Sequence, residues 1–394
     1  MIEIKRKPNY LGIYIHFPFC LQKCHYCDFY SLGLNEHNLD IKEIEKIFIE
    51  RILEEFLLRY PYFKEFNKIN TIYFGGGTAS FLSAQSIKKL LQYFKDFFLF
   101  TEDCEITLEG NPEHLYDKDY LLNLKEIGIN RINVGYQTKQ FNFLQKMNRY
   151  YNPDHYEKVL YNISSIFDNW GVDLIYGFPD QTLEDFKKDL DFILSFPLKH
   201  LSLYSLTVEH GTMYEKLIHQ NFLKEPNQNL QEEIFLNLPS LLKNYAFIQY
   251  EISNFAKKNY ECRHNLRYWL YEPYLGLGPS SHGFNGKYRY NNYRNWLKWL
   301  KNFHENYTIH EPLKEIAITM FRLCIPINLK WIENITKHHQ IFLDFFMEMA
   351  NKEFGTLTSL ENQIFFQWNL EGISLLDNKI LEFFEKIDQL TYIS

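Results

Sequence analysis

The chain has 394 residues, enough for two or three domains around a sizeable core, and its 18% aromatic content can follow from genome composition, so it carries no functional weight. A formal net charge of -7 and a pI of about 6.1 offer no basic footprint for nucleic acid. Six cysteines, three of them clustered, do not read as a disulfide framework, no apolar run approaches the ~18 residues of a membrane span, and MIEIKRKPNY lacks the apolar stretch of a signal peptide, so a reducing, cytoplasmic setting is expected.

In chain order, Leu11 to Phe17 is short, apolar and β-prone, and feeds a cysteine-rich loop. Glu36 to Tyr60 carries Ile41, Ile44, Ile47, Phe48, Ile52 and Phe56 at helical spacing and reads as one long amphipathic helix. TIYFGGGTASFL is a strand ending on Gly75, Gly76, Gly77 and Thr78, followed by a helix over Ser86 to Phe98. The pattern repeats. EITLEGNP is a strand finishing on Glu109 and Asn111, with Leu115 to Ile127 helical behind it. RINVGYQT ends on Gln137 and precedes a helix over Pro153 to Phe167. GVDLIYGFPDQT holds Asp173 and precedes a helix over Thr182 to Phe196, with Thr182 as its cap. HLSLYSLTVEHGT is the sixth strand.

Six strands alternating with five helices argue for parallel βα units, with chemistry at the strand C-termini. An open, partial barrel of six units and a doubly wound open sheet both fit this pattern. Phe222 to Leu242 is expected to be helical, and Ile248 to Phe284 holds one strand-like run among many Gly, Pro, Tyr and His. From about Leu313 the chain reads as helical, with a short β-like turn before a last helix near Lys379 to Gln389. Two domains are expected, 1–310 and a small, mainly helical 311–394.

The densest chemistry lies in YIHFPFCLQKCHYCDF, where Cys20, Cys24 and Cys27 stand at C-x3-C-x2-C. Zinc and ordinary iron–sulfur sites usually take four protein ligands. Here Cys104, Cys262 and Cys324 are isolated along the chain. A cubane held by three thiolates leaves one iron open to an exogenous ligand. Structural or zinc-binding cysteines are the plainer alternative. The GGGT run lets a ligand approach the backbone closely, although most such runs are turns. Glu109 could accept hydrogen bonds from a ribose or an ammonium group, or be a solvated loop residue. Gln137, Arg149 and Asp173 could complete a polar ring for a zwitterionic nucleoside, or be a turn partner and a salt bridge. Tyr14 points toward the loop or is a core aromatic.

The cysteine spacing, with Tyr26 before the last cysteine, resembles the radical S-adenosylmethionine (SAM) superfamily. Together with FGGGTASFL, EGNP, GINRINVGYQT, DLIYGFPDQT and LSLYSLTVEHGTMYE, it resembles the branch holding oxygen-independent coproporphyrinogen III dehydrogenase and its haem-chaperone relatives, over nearly the whole chain. This resemblance favours the partial (βα)6 barrel. It implies a 4Fe-4S cluster on Cys20, Cys24 and Cys27. Tyr14, Gly76 and Glu109 would line a first SAM site, and Tyr26, Gly77, Thr78, Gln137, Arg149 and Asp173 match positions that hold a second SAM in the dehydrogenase.

Two features point away from the dehydrogenase. Phe29 stands where a fourth cysteine would be called for, and only about ten residues precede Leu11 where a longer arm would be expected. The chaperone relatives carry HNxxYW, matched here by His264, Asn265, Tyr268 and Trp269. The resemblance implies a chaperone with haem as cargo, an acceptor haem protein, an electron donor for the cluster, and contact with a membrane surface where respiratory haem proteins are loaded. His264 is the candidate haem ligand, as an imidazole can ligate haem iron, or is a loop histidine bonded to backbone. Cys262 and His282 are lesser candidates. The C-terminal helical region, with EGISLLDN as its clearest match, is expected to cover the barrel mouth or dock a partner.

Overall fold

The computed structural model describes residues 4–37, 40–309 and 312–391. Six parallel strands form in the expected order: β1 (Tyr10–Phe17), β2 (Lys68–Gly76), β3 (Leu99–Gly110), β4 (Arg131–Gln137), β5 (Trp170–Tyr176) and β6 (His200–Ser205). The helices between them are α1 (Ile41–Arg59), α2 (Ala84–Lys95), α3 (Lys118–Glu126), α4 (Pro153–Ile166) and α5 (Leu183–Leu194). Thr182 caps α5 as expected, in a capping box with Asp185.

Side chains alternate across a strand, and here the two faces differ in kind. One face carries Ile13, Ile15, Ile72, Phe74, Leu108, Ile132, Val134, Val172 and Leu201, all buried under the helices beside Phe48, Ile52 and Leu90. Each fully buried Leu, Ile or Phe there contributes about 1.5–3 kcal/mol. The registered residues of the other face are Gly12, Tyr14 and His16, then Thr71, Tyr73 and Gly75, then Glu105, Thr107 and Glu109, then Arg131, Asn133 and Gly135, then Gly171, Asp173, His200 and Ser202. A closed βα barrel packs bulky aliphatic side chains inside. This one turns a polar face inward, consistent with an open barrel that surrounds a site.

The expected single helix from Glu36 is instead a short turn at Leu34–His37 and then α1, which Asp40 caps. The helix expected from Phe222 starts later, as α6 (Gln228–Lys243), because Pro226 precedes its cap Asn227. Ile248 to Phe284 departs most from its expectation. It folds as β7 (Ile248–Glu251), β8 (Asn254–Ala256), α7 (Arg263–Trp269), β9 (Tyr274–Leu277) and β10 (His282–Phe284). Short strands among glycines and prolines carry little periodicity, and β9 is defined by a partner some 260 residues earlier: it pairs in parallel with β1, Tyr14 beside Gly276. With β11 (Tyr288–Asn292) and β12 (His304–Ile309), the sheet runs β12-β11-β10-β9-β1-β2-β3-β4-β5-β6-β8-β7. Glu55 of α1 locks this extension, accepting from Gly278 N at 2.9 Å, Trp299 Nε1 at 3.0 Å and Asn292 Nδ2.

Helix α7 plugs the barrel floor, at the strand N-termini. Arg267 is wholly buried and donates to the carbonyls of Tyr10 (2.9 Å) and Pro273 (2.8 Å), to Thr71 Oγ1 and to Asn70 Oδ1, with Glu272 at 3.4 Å. The C-terminal region follows: α8 (Pro312–Met320), α9 (His339–Asn351), a hairpin of β13 (Gly355–Leu360) and β14 (Gln363–Trp368), and α10 (Leu376–Thr391). Glu361 and Asn362, both at positive φ, make the hairpin turn. The domain boundary expected at 310–311 lies outside the described residues. Ile316, Met320, Phe321, Phe345 and Phe383 share a core with Leu266, Leu270, Tyr271 and Tyr274. The region therefore packs beneath the floor plug and not over the mouth, a correction to the expected lid; the apolar face of α7 and the start of β9 are what it covers.

Removing Arg267 would leave the Glu272 carboxylate and several buried acceptors unpaired. Arg267→Ala is expected to cost about 3–5 kcal/mol and to lower the urea midpoint, whereas the exposed Lys298→Ala should stay within about 0.5 kcal/mol.

Candidate functional site

The three cysteines lie on a clasp at the mouth. Phe19 and Cys20 pair in parallel with Leu32 and Gly33, closing the loop between them. The clasp is pinned from outside. His25 N donates to Met147 O, Gln22 Nε2 to Asn148 O, and Asn148 Nδ2 to Lys23 O, each at 2.9 Å, while Tyr214 N donates to His25 O at 2.9 Å. Asn148 adopts φ +52°, a left-handed conformation that Asn tolerates. Arg294 of the sheet extension donates to Asp28 O at 2.6 Å, and Trp296 N to Tyr30 Oη at 2.6 Å.

All three thiols are free, Cys24 buried and the others half-buried. Burial, and then the like charge of neighbouring thiols, pushes Cys20 up to about 12 and Cys27 up to about 11. Thr78 Oγ1 donates to Cys20 Sγ at 3.4 Å, and Arg149 Nη1 lies 3.7 Å from Cys24 Sγ. Among the described residues no three His, Cys, Asp or Glu side chains are grouped around a single-ion position. A cubane spreads its thiolates wider than one ion does. The donor set fits such a cluster: soft thiolates on one clasp, an arginine to offset their charge, and no fourth thiol nearby. Cys104 and Cys262 lie at the floor end of the sheet, Cys262 against Glu105, and Cys324 is buried in the C-terminal core.

The glycine strip runs beside the clasp. A Cβ on Gly76 (φ +112°) would meet Phe17 O at 2.8 Å, and one on Gly77 would meet Phe19 O at 2.8 Å. Gly77 N donates to Phe17 O at 2.7 Å, which ties the strip to the clasp's stem. Glu109 reaches the same place, since a Cβ on Gly75 would lie 2.7 Å from its Oε2. Its carboxylate accepts from Tyr73 Oη. Burial, and then the charge of Asp173, raises Glu109 to about 7.

The polar ring is assembled as follows. Arg149 Nη2 donates to Asn111 Oδ1 at 2.7 Å and to Gly135 O at 2.6 Å. Asn111 Nδ2 donates in turn to Thr78 Oγ1 at 3.0 Å. Gln137 sits at a β-bulge with φ +71°, its amide beside Gly135 and Arg149. Asn133 Nδ2 donates to Asp173 Oδ2 at 2.8 Å, and burial raises the Asp173 pKa. Asn133 Oδ1 and Thr107 Oγ1 are buried without protein partners, and Asp173 Oδ1 has none beyond the neighbouring Ser202 hydroxyl, as expected of a cavity that takes a polar ligand. Tyr26 packs against Phe143, Met147 and Tyr214, and Tyr14 Oη bonds His16 Nδ1 at 3.0 Å.

Sequence reasoning passed over several of these residues. His16 joins the β1 wall to the clasp, with its Nε2 at 2.9 Å from Tyr30 O, and burial pulls it down to about 4, so it is neutral. The signal was available, because His16 continues the alternation Gly12, Tyr14. Asn111 was visible as a strand-end polar residue. Asn133 and Asn148 had no signal beyond their neighbourhood.

His264 is placed at the floor, wholly buried. Its Nδ1 bonds Thr71 Oγ1 and its Nε2 bonds Tyr268 Oη, both at 2.9 Å, and its ring stacks 5.2 Å from Tyr73. Ligating a haem iron would require opening one of these bonds and admitting a macrocycle beneath the sheet. The HNxxYW motif thus builds the plug: Tyr268 stands edge-on to His264, and Trp269 lies under Arg322 at 4.7 Å.

The radical SAM superfamily model matches residues 14–193. The chain is 34% identical over 345 residues to the heme chaperone HemW of Buchnera aphidicola subsp. Schizaphis graminum, covering 84% of this chain and 88% of that protein. It is 34% identical to heme chaperone HemW of Bacillus subtilis (69% and 70% covered) and 32% identical to that of Escherichia coli K12 (69% and 70%). Among solved structures, the radical SAM enzyme coproporphyrinogen III oxidase (HemN) of E. coli superposes with a TM-score of 0.76 over 96% of this chain and 91% of that one, at 20% identity, which shows the shared fold. The expected partial barrel with a mainly helical C-terminal region is therefore the fold found, and by its matches to relatives above 30% identity over most of their length the chain belongs to the HemW family of the radical SAM superfamily.

Proposed function

We propose that this protein is a haem chaperone that binds haem and delivers it to an acceptor haem protein. The observation that carries this reading is the identity to proteins named heme chaperone HemW over most of their length. The three-cysteine clasp, with Phe29 in place of a further thiol, supports it.

Membership of the superfamily implies a 4Fe-4S cluster and SAM, and together these supply reductive cleavage of a sulfonium C–S bond. The residues expected to hold them line the clasp and the strand ends. Cys20, Cys24 and Cys27 would bind the cluster, with Arg149 and Thr78 placed to offset thiolate charge. The Gly75–Gly77 strip would admit the methionine end of SAM, and Glu109 would accept from its ammonium or ribose. Tyr73 and Tyr14 wall this side of the cavity, while α7 closes the floor against water. An electron donor for the cluster belongs to the same proposal. No helix among the described residues is long and apolar enough to cross a membrane.

Anaerobic reconstitution with iron and sulfide should give a cluster spectrum that is lost in each of Cys20→Ala, Cys24→Ala and Cys27→Ala and kept in Cys104→Ala and Cys324→Ala. Zinc in the isolated protein, or dependence on Cys104, would contradict the three-thiolate set. With haemin the protein should develop a Soret band, and with coproporphyrinogen III and SAM it should release no protoporphyrinogen; turnover at a useful rate would reject the chaperone reading.

Glu109 generates a pH dependence. Its carboxyl is protonated below about 7 and anionic above, and the anion is the form that attracts an ammonium group. SAM affinity, read from the cluster spectrum, should therefore rise about tenfold between about pH 6 and pH 8 and then level off. Glu109→Gln should bind more weakly and flatten this profile.

A further inference from the structure

A haem carrier needs an imidazole or thiolate that iron can reach, an apolar edge for the ring, and a cation for the propionates. Three buried histidines of the barrel are spoken for. His264 and His16 have both ring nitrogens bonded within the fold, and His200 bonds Tyr250 Oη at 2.8 Å while wholly buried. His282 differs. It is exposed, and among the described residues its ring has no hydrogen-bond partner.

Its position is set by β9 and β10. Tyr274 pairs antiparallel with Phe284, which returns His282 alongside Gly276, itself registered with Tyr14. A side chain on Gly276 would collide with the His282 carbonyl, so this approach depends on the glycine. His282 thus stands on the β9 flank of the wall formed by Tyr14 and His16, close enough to His16 for their charges to interact. Partial desolvation by the atoms packed around this exposed ring, and then the charges of Arg289 and Arg294, lower its proton affinity, which favours the neutral form that can ligate iron.

The neighbours supply the other two requirements. Arg294, 59% exposed at its side chain, spends Nη2 on the carbonyl and carboxylate of Asp28, at 2.6 and 3.1 Å. Phe29 follows Asp28 directly on the cysteine clasp and is 69% exposed, and Leu297, three residues beyond Arg294, is 67% exposed. Arg294 joins the segments that carry these two apolar side chains.

We propose, on the footing of the chaperone reading, that His282 is the axial ligand of the carried haem iron. Arg294 meets a propionate, and Phe29 and Leu297 give the macrocycle its apolar edge. Coordination is donation of the imidazole lone pair to ferric iron, with no change of redox state and no proton released.

The test uses full-length, cluster-reconstituted protein titrated anaerobically with haemin, read by the Soret band and by electron paramagnetic resonance for imidazole ligation. His282→Ala should bind at least tenfold more weakly and lose the imidazole signature, with added imidazole restoring it and the urea midpoint unchanged. Arg294→Gln should weaken haemin severalfold but leave the affinity for haemin dimethyl ester unchanged. His264→Ala, even if less stable, should keep the imidazole-ligated spectrum in its folded fraction. An unchanged spectrum and affinity in His282→Ala, or loss of ligation in folded His264→Ala alone, would overturn the assignment and leave the chaperone reading standing. Absence of haemin uptake by the unsubstituted protein would remove both.

Discussion

The structure depends on a division between the two faces of its parallel strands. One face is apolar and buried under helices, so it supplies the driving force for folding. The other places Tyr, His, Thr, Glu, Asn and Asp side by side, and these cannot be packed as a dry core without partners. A barrel with such a lining stays open at its mouth and needs a polar plug at its floor. The arrangement of the clasp, the floor helix and the C-terminal region follows from that requirement.

At the mouth, the cysteine clasp has little core of its own. Its geometry is imposed by the β4–α4 connection at Met147 and Asn148, by Tyr214, and by the sheet extension through Arg294 and Trp296. Those contacts come from residues more than a hundred positions away, so the spacing of the three thiols becomes a fixed property only in the folded chain. The same extension carries His282, and Glu55 locks it to α1.

At the floor, one buried arginine and one buried histidine satisfy strand-end carbonyls and hydroxyls that water would otherwise reach. The C-terminal helices then cover the apolar side of that plug. Their aromatic core, with Phe346 stacked 4.3 Å from Phe366 and Phe321 beside Phe345, rests on Leu266 and Tyr271. This leaves the mouth uncovered by the C-terminal region.

The order of βα units, the three-cysteine motif, the strand-end residues Glu109 and Gln137 and the mid-strand Asp173 were legible in the sequence, because periodicity, spacing and glycine content are local properties. Thr182 as a helix cap was legible for the same reason. The parallel strand Tyr274–Leu277 was not, since four residues among glycines and prolines become a strand only through their pairing with β1. Nor were the roles of His16, Asn111 and Asn148, whose partners are distant in the chain. The HNxxYW motif was visible, yet its place was not: burial and hydrogen bonding put His264 at the floor, while His282, a lesser candidate in the sequence, lies exposed beside Gly276. The sequence by itself determined which chemical groups the protein owns and in what order its units fold. The tertiary structure alone decided which of those groups face a cavity, because exposure and the saturation of a ring nitrogen depend on neighbours brought together from far along the chain.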